Sequence, residues 1–187
     1  MADRRMSMAG PPGTASARAG LAEETLALAQ ELFQLVRVGE TARLVTLLDM
    51  GLVPNLRDSK GDSLLMLASY HGHHDLVRLL LEHGADPELA NDRGLTPLAG
   101  AAFKGDIEMA QLLLRHGAMA NARSADGKTP LMFAAMFDRV EMVELLLAHG
   151  ADPALSTEDG HTASHLARAL GADAAAAALQ GWRGRTE

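Results

Sequence analysis

Apolar residues fall at helical spacing in Leu76-Val77-Arg78-Leu79-Leu80-Leu81, which predicts a helix with one buried stripe. The leucine triplet recurs at Leu112 to Leu114 and at Leu145 to Leu147, each 33 residues after the last. Ahead of each triplet lies a second, smaller apolar segment. Its versions are Gly61-Asp-Ser-Leu-Leu-Met-Leu-Ala68, Gly94-Leu-Thr-Pro-Leu-Ala-Gly-Ala101, Gly127-Lys-Thr-Pro-Leu-Met-Phe-Ala134 and Gly160-His-Thr-Ala-Ser-His-Leu-Ala167. A further glycine position follows at Gly72, Gly105 and Gly171, filled once by Asp138, and His-Gly-Ala closes three units at 83–85, 116–118 and 149–151. Stepping back 33 residues from Gly72 and Gly84 reaches Gly39 and Gly51, which marks a degenerate first unit. Periodicity on this scale predicts a solenoid of five units, spanning 26–57, 58–90, 91–123, 124–156 and 157–181.

Each unit reads as helix, tight turn, helix and loop, so the fold class is all-α. Thr-Pro-Leu opens the first helix, because threonine caps free N–H groups and proline is tolerated where its missing N–H is no loss. Ala68, Ala101, Ala134 and Ala167 keep that helix slim. Glycine at the stops takes the left-handed conformation without a Cβ penalty, and aspartate, as at Asp138, tolerates it better than most residues. The second helix cannot bury its stripe within its own unit, so adjacent units must stack.

These motifs resemble the ankyrin repeat signature, Gly-x-Thr-Pro-Leu-His-x-Ala followed by Leu-Leu-Leu-x-x-Gly-Ala-Asp. Thr96-Pro97-Leu98, Thr129-Pro130-Leu131, Gly84-Ala85-Asp86 and Gly150-Ala151-Asp152 match it outright. The resemblance is good from Asp58 to Leu155 and weaker in the flanking units. The signature histidine is replaced by Met66, Ala99 and Met132, which read as inward core filler where methionine stands, and survives only as His165. The resemblance implies a stacked helix-turn-helix solenoid that recognises a protein partner through hairpin tips and a concave face.

The flanks are expected to cap the stack. Residues 1–20 are small, polar and Gly/Pro-containing, without the apolar stretch of a secretory or twin-arginine signal, and read as a disordered tail. The repeat domain is expected over 21–181, opening with an amphipathic helix that places Leu26, Leu28, Leu32, Leu35 and Val36 on or near one face, and 182–187 reads as a second tail. No run of about 18 apolar residues suggests a membrane span. The absence of cysteine excludes disulfides and thiolate metal sites and suits a cytoplasmic location. The alanine-rich composition is associated with GC-rich genomes, bacterial ones among them.

Charge narrows the partners. The formal net charge is −7 and the 17 lysines and arginines are scattered, so no basic footprint for nucleic acid is assembled, and a partner with a basic patch is the easier one to attract. Among eight histidines, His71, His73 and His74 lie close to Asp75, the only arrangement that suggests zinc. The plainer reading makes His73 a repeat-position residue. His83, His116 and His149 recur at the repeat period, roughly 10 Å apart by helix packing, too far for shared coordination; they suit the negative ends of the helix dipoles. Serines lack a strand-turn-helix setting and a third partner for nucleophilic catalysis, and every phosphate-loop-like glycine is explained by the repeat. No catalytic residue, cofactor, metal or small-molecule substrate is therefore expected.

Recognition remains. The resemblance places the hairpin tips at Ser59, Lys60 and Asp62, at Asp92, Arg93 and Leu95, and at Ala125, Asp126 and Lys128, with Glu158 and His161 on the last unit. It places concave helix positions at Tyr70 with His71, Phe103 with Lys104, and Met136 with Phe137. Three of the six aromatic residues, Tyr70, Phe103 and Phe137, fall on these positions and predict a partner-binding ladder; the competing reading is that they fill gaps between adjacent helices. Two rival functions remain open: an effector or inhibitor acting on a foreign protein, and a metal-dependent enzyme built around His71, His73 and His74.

Overall fold

A computed structural model describes residues 14–183, with side chains from 26 to 182. It contains ten helices in five pairs among the described residues: α1 (Thr14–Val38) with α2 (Thr41–Asp49), α3 (Leu64–His71) with α4 (His74–Glu82), α5 (Pro97–Lys104) with α6 (Ile107–Arg115), α7 (Pro130–Met136) with α8 (Val140–Ala148), and α9 (Ala163–Ala169) with α10 (Asp173–Arg183). The odd-numbered helices pack side by side as one row and the even-numbered helices as a second. The resulting two-layer solenoid is all-α, as the repeat spacing predicts.

Local chemistry sets the start of each first helix. Ser63, Thr96, Thr129 and Thr162 stand at the N-caps with extended backbone, and each hydroxyl accepts the N–H three residues on, from Met66, Ala99, Met132 and His165. Pro97 and Pro130 occupy the first turn. His165 reciprocates by accepting the Thr162 N–H at Nδ1, 3.3 Å away, completing a capping box. Second helices end on histidine: the Nδ1–H of His83, His116 and His149 donates to the carbonyl four residues back, 2.9 Å away in every case. The expected dipole complement is thus a side-chain hydrogen bond to a carbonyl of the last turn, and the Leu79 and Leu145 carbonyls accept the backbone N–H of the same histidine as well.

The core follows the leucine triplets, though not all three members. The central Leu80, Leu113 and Leu146 are fully buried, whereas Leu79, Leu114 and Leu145 are only partly covered. Three consecutive helical residues sweep about 200°, wider than the apolar stripe one neighbouring row can cover. Ala68, Ala101, Ala134 and Ala167 are buried, as are Met66 and Met132 in the signature-histidine slot.

Hairpins are stitched by a column of polar residues at the same 33-residue period. The side-chain oxygens of Asp58, Asn91, Ser124 and Thr157 each accept the N–H four residues on, and Asp58 and Asn91 also accept the N–H two residues on. A second column joins successive loops: Asn55 accepts the Asp86 N–H at 2.8 Å, Glu88 the Met119 N–H at 2.9 Å, and Asn121 the Asp152 N–H at 2.8 Å.

The flanks differ from expectation. Helix α1 begins at Thr14, so residues 14–20 of the expected tail are helical; the run Thr14 to Gln30 contains strong helix formers and no proline. Residues 1–13 lie outside the described part. On α1, Leu32, Leu35 and Val36 are buried, whereas Leu26 and Leu28 are exposed. Helix α1 has 25 residues and its neighbour α3 has 8, so the first half of α1 runs beyond its packing partner. At the other end α10 continues to Arg183, and Trp182, expected in a tail, packs against the core; residues 184–187 lie outside the described part.

Asp138 is the one non-glycine residue with positive φ, at 53°, among the described residues, and its carboxylate accepts the Ala175 N–H at 2.7 Å, capping the first turn of α10 in the next unit. Asp138→Ala is expected to lose both advantages and about 2 kcal/mol of stability, whereas Asp138→Gly, which relieves the backbone while losing the cap, stays near wild type; urea unfolding of the two variants checks this. Burial raises the Glu88 carboxyl pKa, while its bond from the Met119 N–H opposes the shift. A raised folded pKa means stability that is present below the unfolded carboxyl pKa and is lost as pH rises through the folded one. Glu88→Gln keeps the acceptor and removes the charge, so stability measured across pH 4 to 7 is expected to fall less for Glu88→Gln than for wild type.

Candidate interaction groove

The side expected to be concave is built from the exposed ends of the first helices and the hairpin tips. Ser59, Lys60, Asp92, Arg93, Ala125 and Asp126 are exposed at the tips, and Asp62, Leu95 and Lys128 are partly covered; Glu158 and His161 continue the row on the last unit. Tyr70, Phe103 and Phe137 are 48%, 39% and 42% exposed, so their rings are neither core nor fully solvated.

The three rings do not share one repeat position. Tyr70 and Phe103 are equivalent, but the next member is Met136, and Phe137 occupies the slot of His71 and Lys104. In two of the three units that following slot leans back over the preceding unit. The Lys104 ammonium lies 4.3 Å from the Tyr70 ring centroid and donates to the Tyr70 carbonyl, and the Phe137 ring meets Phe103 edge-on with centroids 4.4 Å apart. His71 meets Tyr70 edge-on at 5.6 Å and stacks on His73 at 6.0 Å. Gap filling between helices and surface exposure therefore coexist in the same side chains.

The histidines do not assemble a metal site. His73 donates from Nε2 to the Arg37 carbonyl at 2.9 Å, and His74 bonds the Asp106 carboxylate at 3.0 Å, one unit on each side. Among the described residues no group of three or more His, Asp or Glu is placed to hold a metal ion. Burial lowers the His71 pKa, with the neighbouring His73, Lys104 and Arg37 adding to the effect.

Between the tips and the helices lies a cleft of about 480 Å³. It gathers Lys60, Asp62, Tyr70, His71, Arg93, Leu95 and Phe103 from the expected residues, and it leaves out Ser59, Asp92, Lys104, Ala125, Asp126, Lys128, Met136 and Phe137. It also takes in residues that sequence reasoning missed: Arg37 and Asp58 as an ion pair, Asn91, the walls Leu67 and Phe133, and the floor Ala99 and Gly100. Met66, expected only as core filler, lines it too. Arg37 and Asp58 form an ion pair at 3.1 Å, and the Asn91 amide donates to Asp62 at 2.8 Å. Away from the cleft, hydrogen bonds from Lys128 and Ser124 hold the Asp126 carboxyl down at about 2.

The family model for ankyrin repeats matches residues 32–124 and 101–181. The chain belongs to the ankyrin repeat family. A curated Pseudomonas aeruginosa protein described as an ankyrin repeat protein is 59% identical to it over 66 residues, 35% of this chain and 39% of that relative, so the likeness spans well under half of the relative's length. Ankyrin repeats are in general protein-protein interaction modules. No helix among the described residues is long and apolar enough to cross a membrane.

The signal for the missed floor was readable in the repeat alignment. Where the ankyrin units before and after carry Met66-Leu67 and Met132-Phe133, this one carries Ala99-Gly100 in the middle of α5. Glycine is usually placed for positive φ or close approach, and Gly100 has neither: a Cβ built there would meet nothing within 4 Å. Gly94 is the contrast, since a Cβ there would lie 2.6 Å from the Ala125 backbone nitrogen at φ +71°. Gly100→Ala is accordingly expected to stabilise the chain by about 0.5–1 kcal/mol in urea unfolding, whereas Gly94→Ala destabilises it.

Proposed function

We propose that this ankyrin chain is a non-catalytic recognition module that binds a protein partner along its concave groove and hairpin tips, in the cytoplasm. The observation that carries this reading is the row of half-exposed rings at Tyr70, Phe103 and Phe137 beside a cleft with an apolar floor. Such rings supply contact area at low entropic cost, and burial of even half of each on binding is the kind of contribution that hot spots make. Lys60 and Arg93 flank the cleft without a side-chain hydrogen bond or ion pair among the described residues, so they are available to a partner. The cysteine-free composition suits a reducing compartment.

Replacing Tyr70, Phe103 and Phe137 together by alanine tests the reading. A protein captured from the source cell's lysate by wild type is expected to be lost by the triple variant, with circular dichroism showing the helices intact. The cost to folding is expected to be about 1 kcal/mol, the edge-on ring contact between Phe103 and Phe137 being its main part. Undiminished capture by the triple variant would assign the rings to gap filling alone.

A further inference from the structure

The repeat is broken at one point on the concave face, and the break is a pit. At two successive positions of the first helix the units carry Met66-Leu67, Ala99-Gly100 and Met132-Phe133, so the middle unit lacks the side-chain volume of both its neighbours. Met66, Leu67 and Phe133 become the walls, Ala99 and Gly100 the floor, and the space left is the cleft of about 480 Å³. Gly100 performs no backbone task there, and in mid-helix it lowers helix stability relative to alanine. What it does is leave a helix backbone open to whatever enters the groove.

The rim is selective in charge. Although the chain carries a formal net charge of −7, the cleft is lined by Arg37, Lys60 and Arg93 against Asp58 and Asp62. Arg37 is spent on Asp58, and Asp62 is tied to the Asn91 amide. Lys60 and Arg93, equivalent tip residues of adjacent hairpins, are left unpaired among the described residues, and Lys104 lies just past Tyr70. Although the whole molecule is acidic, the unpaired cations at the pit favour an acidic group there.

We infer that the Ala99-Gly100 pit receives one bulky apolar side chain of a partner's peptide segment whose adjacent carboxylate is held by Lys60 and Arg93. The inference rests on the groove-binding reading and names the chemistry of its partner. A peptide fits better than a free small molecule because the lining includes the half-exposed rings of Tyr70 and Phe103, and Phe137 continues that apolar row past the cleft. Small-molecule pockets instead enclose most of their ligand.

A random-peptide display selection on the whole chain, followed by fluorescence anisotropy with the enriched peptide, provides the test. Wild type is expected to enrich peptides pairing a large aliphatic or aromatic residue with a neighbouring Asp or Glu. Gly100→Leu, which fills the pit, and the exposed double variant Lys60→Ala/Arg93→Ala are each expected to weaken that peptide at least tenfold, the first with an unchanged or higher melting temperature. Selection that enriches nothing, or enriches basic or purely polar peptides, overturns the inference. So does a Gly100→Leu variant that binds like wild type. If in that last case the Tyr70/Phe103/Phe137 triple alanine variant still loses the peptide, the groove reading stands and only the pit falls; if neither variant matters, both fall.

Discussion

Burial of each unit's leucine stripe in a core shared with its own first helix and the neighbouring units is the constraint on which the rest of the molecule depends. Leu80, Leu113 and Leu146 are fully buried, and each belongs to a helix of only nine residues. A helix that short is marginal on its own, and burying one leucine is worth about 1.5–3 kcal/mol, so the stack makes the helices as much as the helices make the stack. Slim first helices follow from the same requirement. Ala68, Ala101, Ala134 and Ala167 leave room for adjacent units to close, and a larger residue at these buried positions would hold them apart.

A solenoid held by stripes alone could slide, and polar groups set its register. The carbonyls and amides of Asn55 and Asn121 and the carboxylate of Glu88 bridge one loop to the next, while His73 and His74 reach backwards and forwards to Arg37 and Asp106. Only His165 keeps the signature position in the first helix. Elsewhere the N-cap hydroxyls of Ser63, Thr96 and Thr129 and the hairpin column from Asp58 to Thr157 organise the loops. The missing histidines therefore do not leave the hairpins without internal order.

Because packing uses the second helices and the inner faces of the first, the concave ends of the first helices are free to vary. That freedom is visible in the slot shared by His71, Lys104 and Phe137, where Lys104 and Phe137 lean over the preceding unit while His71 stays against Tyr70 and His73 of its own. It is visible again at Ala99-Gly100, where two small residues stand in place of the larger pairs of both flanking units and line the cleft. The stacking frame is periodic and the exposed face of the first helices is not.

The 33-residue spacing by itself determined the five units, the all-α class, the capping threonines and the buried alanines, because each follows from covalent geometry and from burial that every unit repeats. The family resemblance singled out Tyr70, Phe103 and Phe137, but left open whether they fill gaps or face a partner. The cleft could not be read the same way, since its lining comes from four units and its floor is defined by atoms that Gly100 lacks. The lean of Phe137 onto Phe103, the pairing of Arg37 with Asp58 and the reach of Asp138 to Ala175 were likewise decided only in three dimensions. Each joins residues a full repeat or more from one unit to another except the Arg37 pair, 21 residues apart across the first loop, and the distance that matters for such contacts is set by how the units stack.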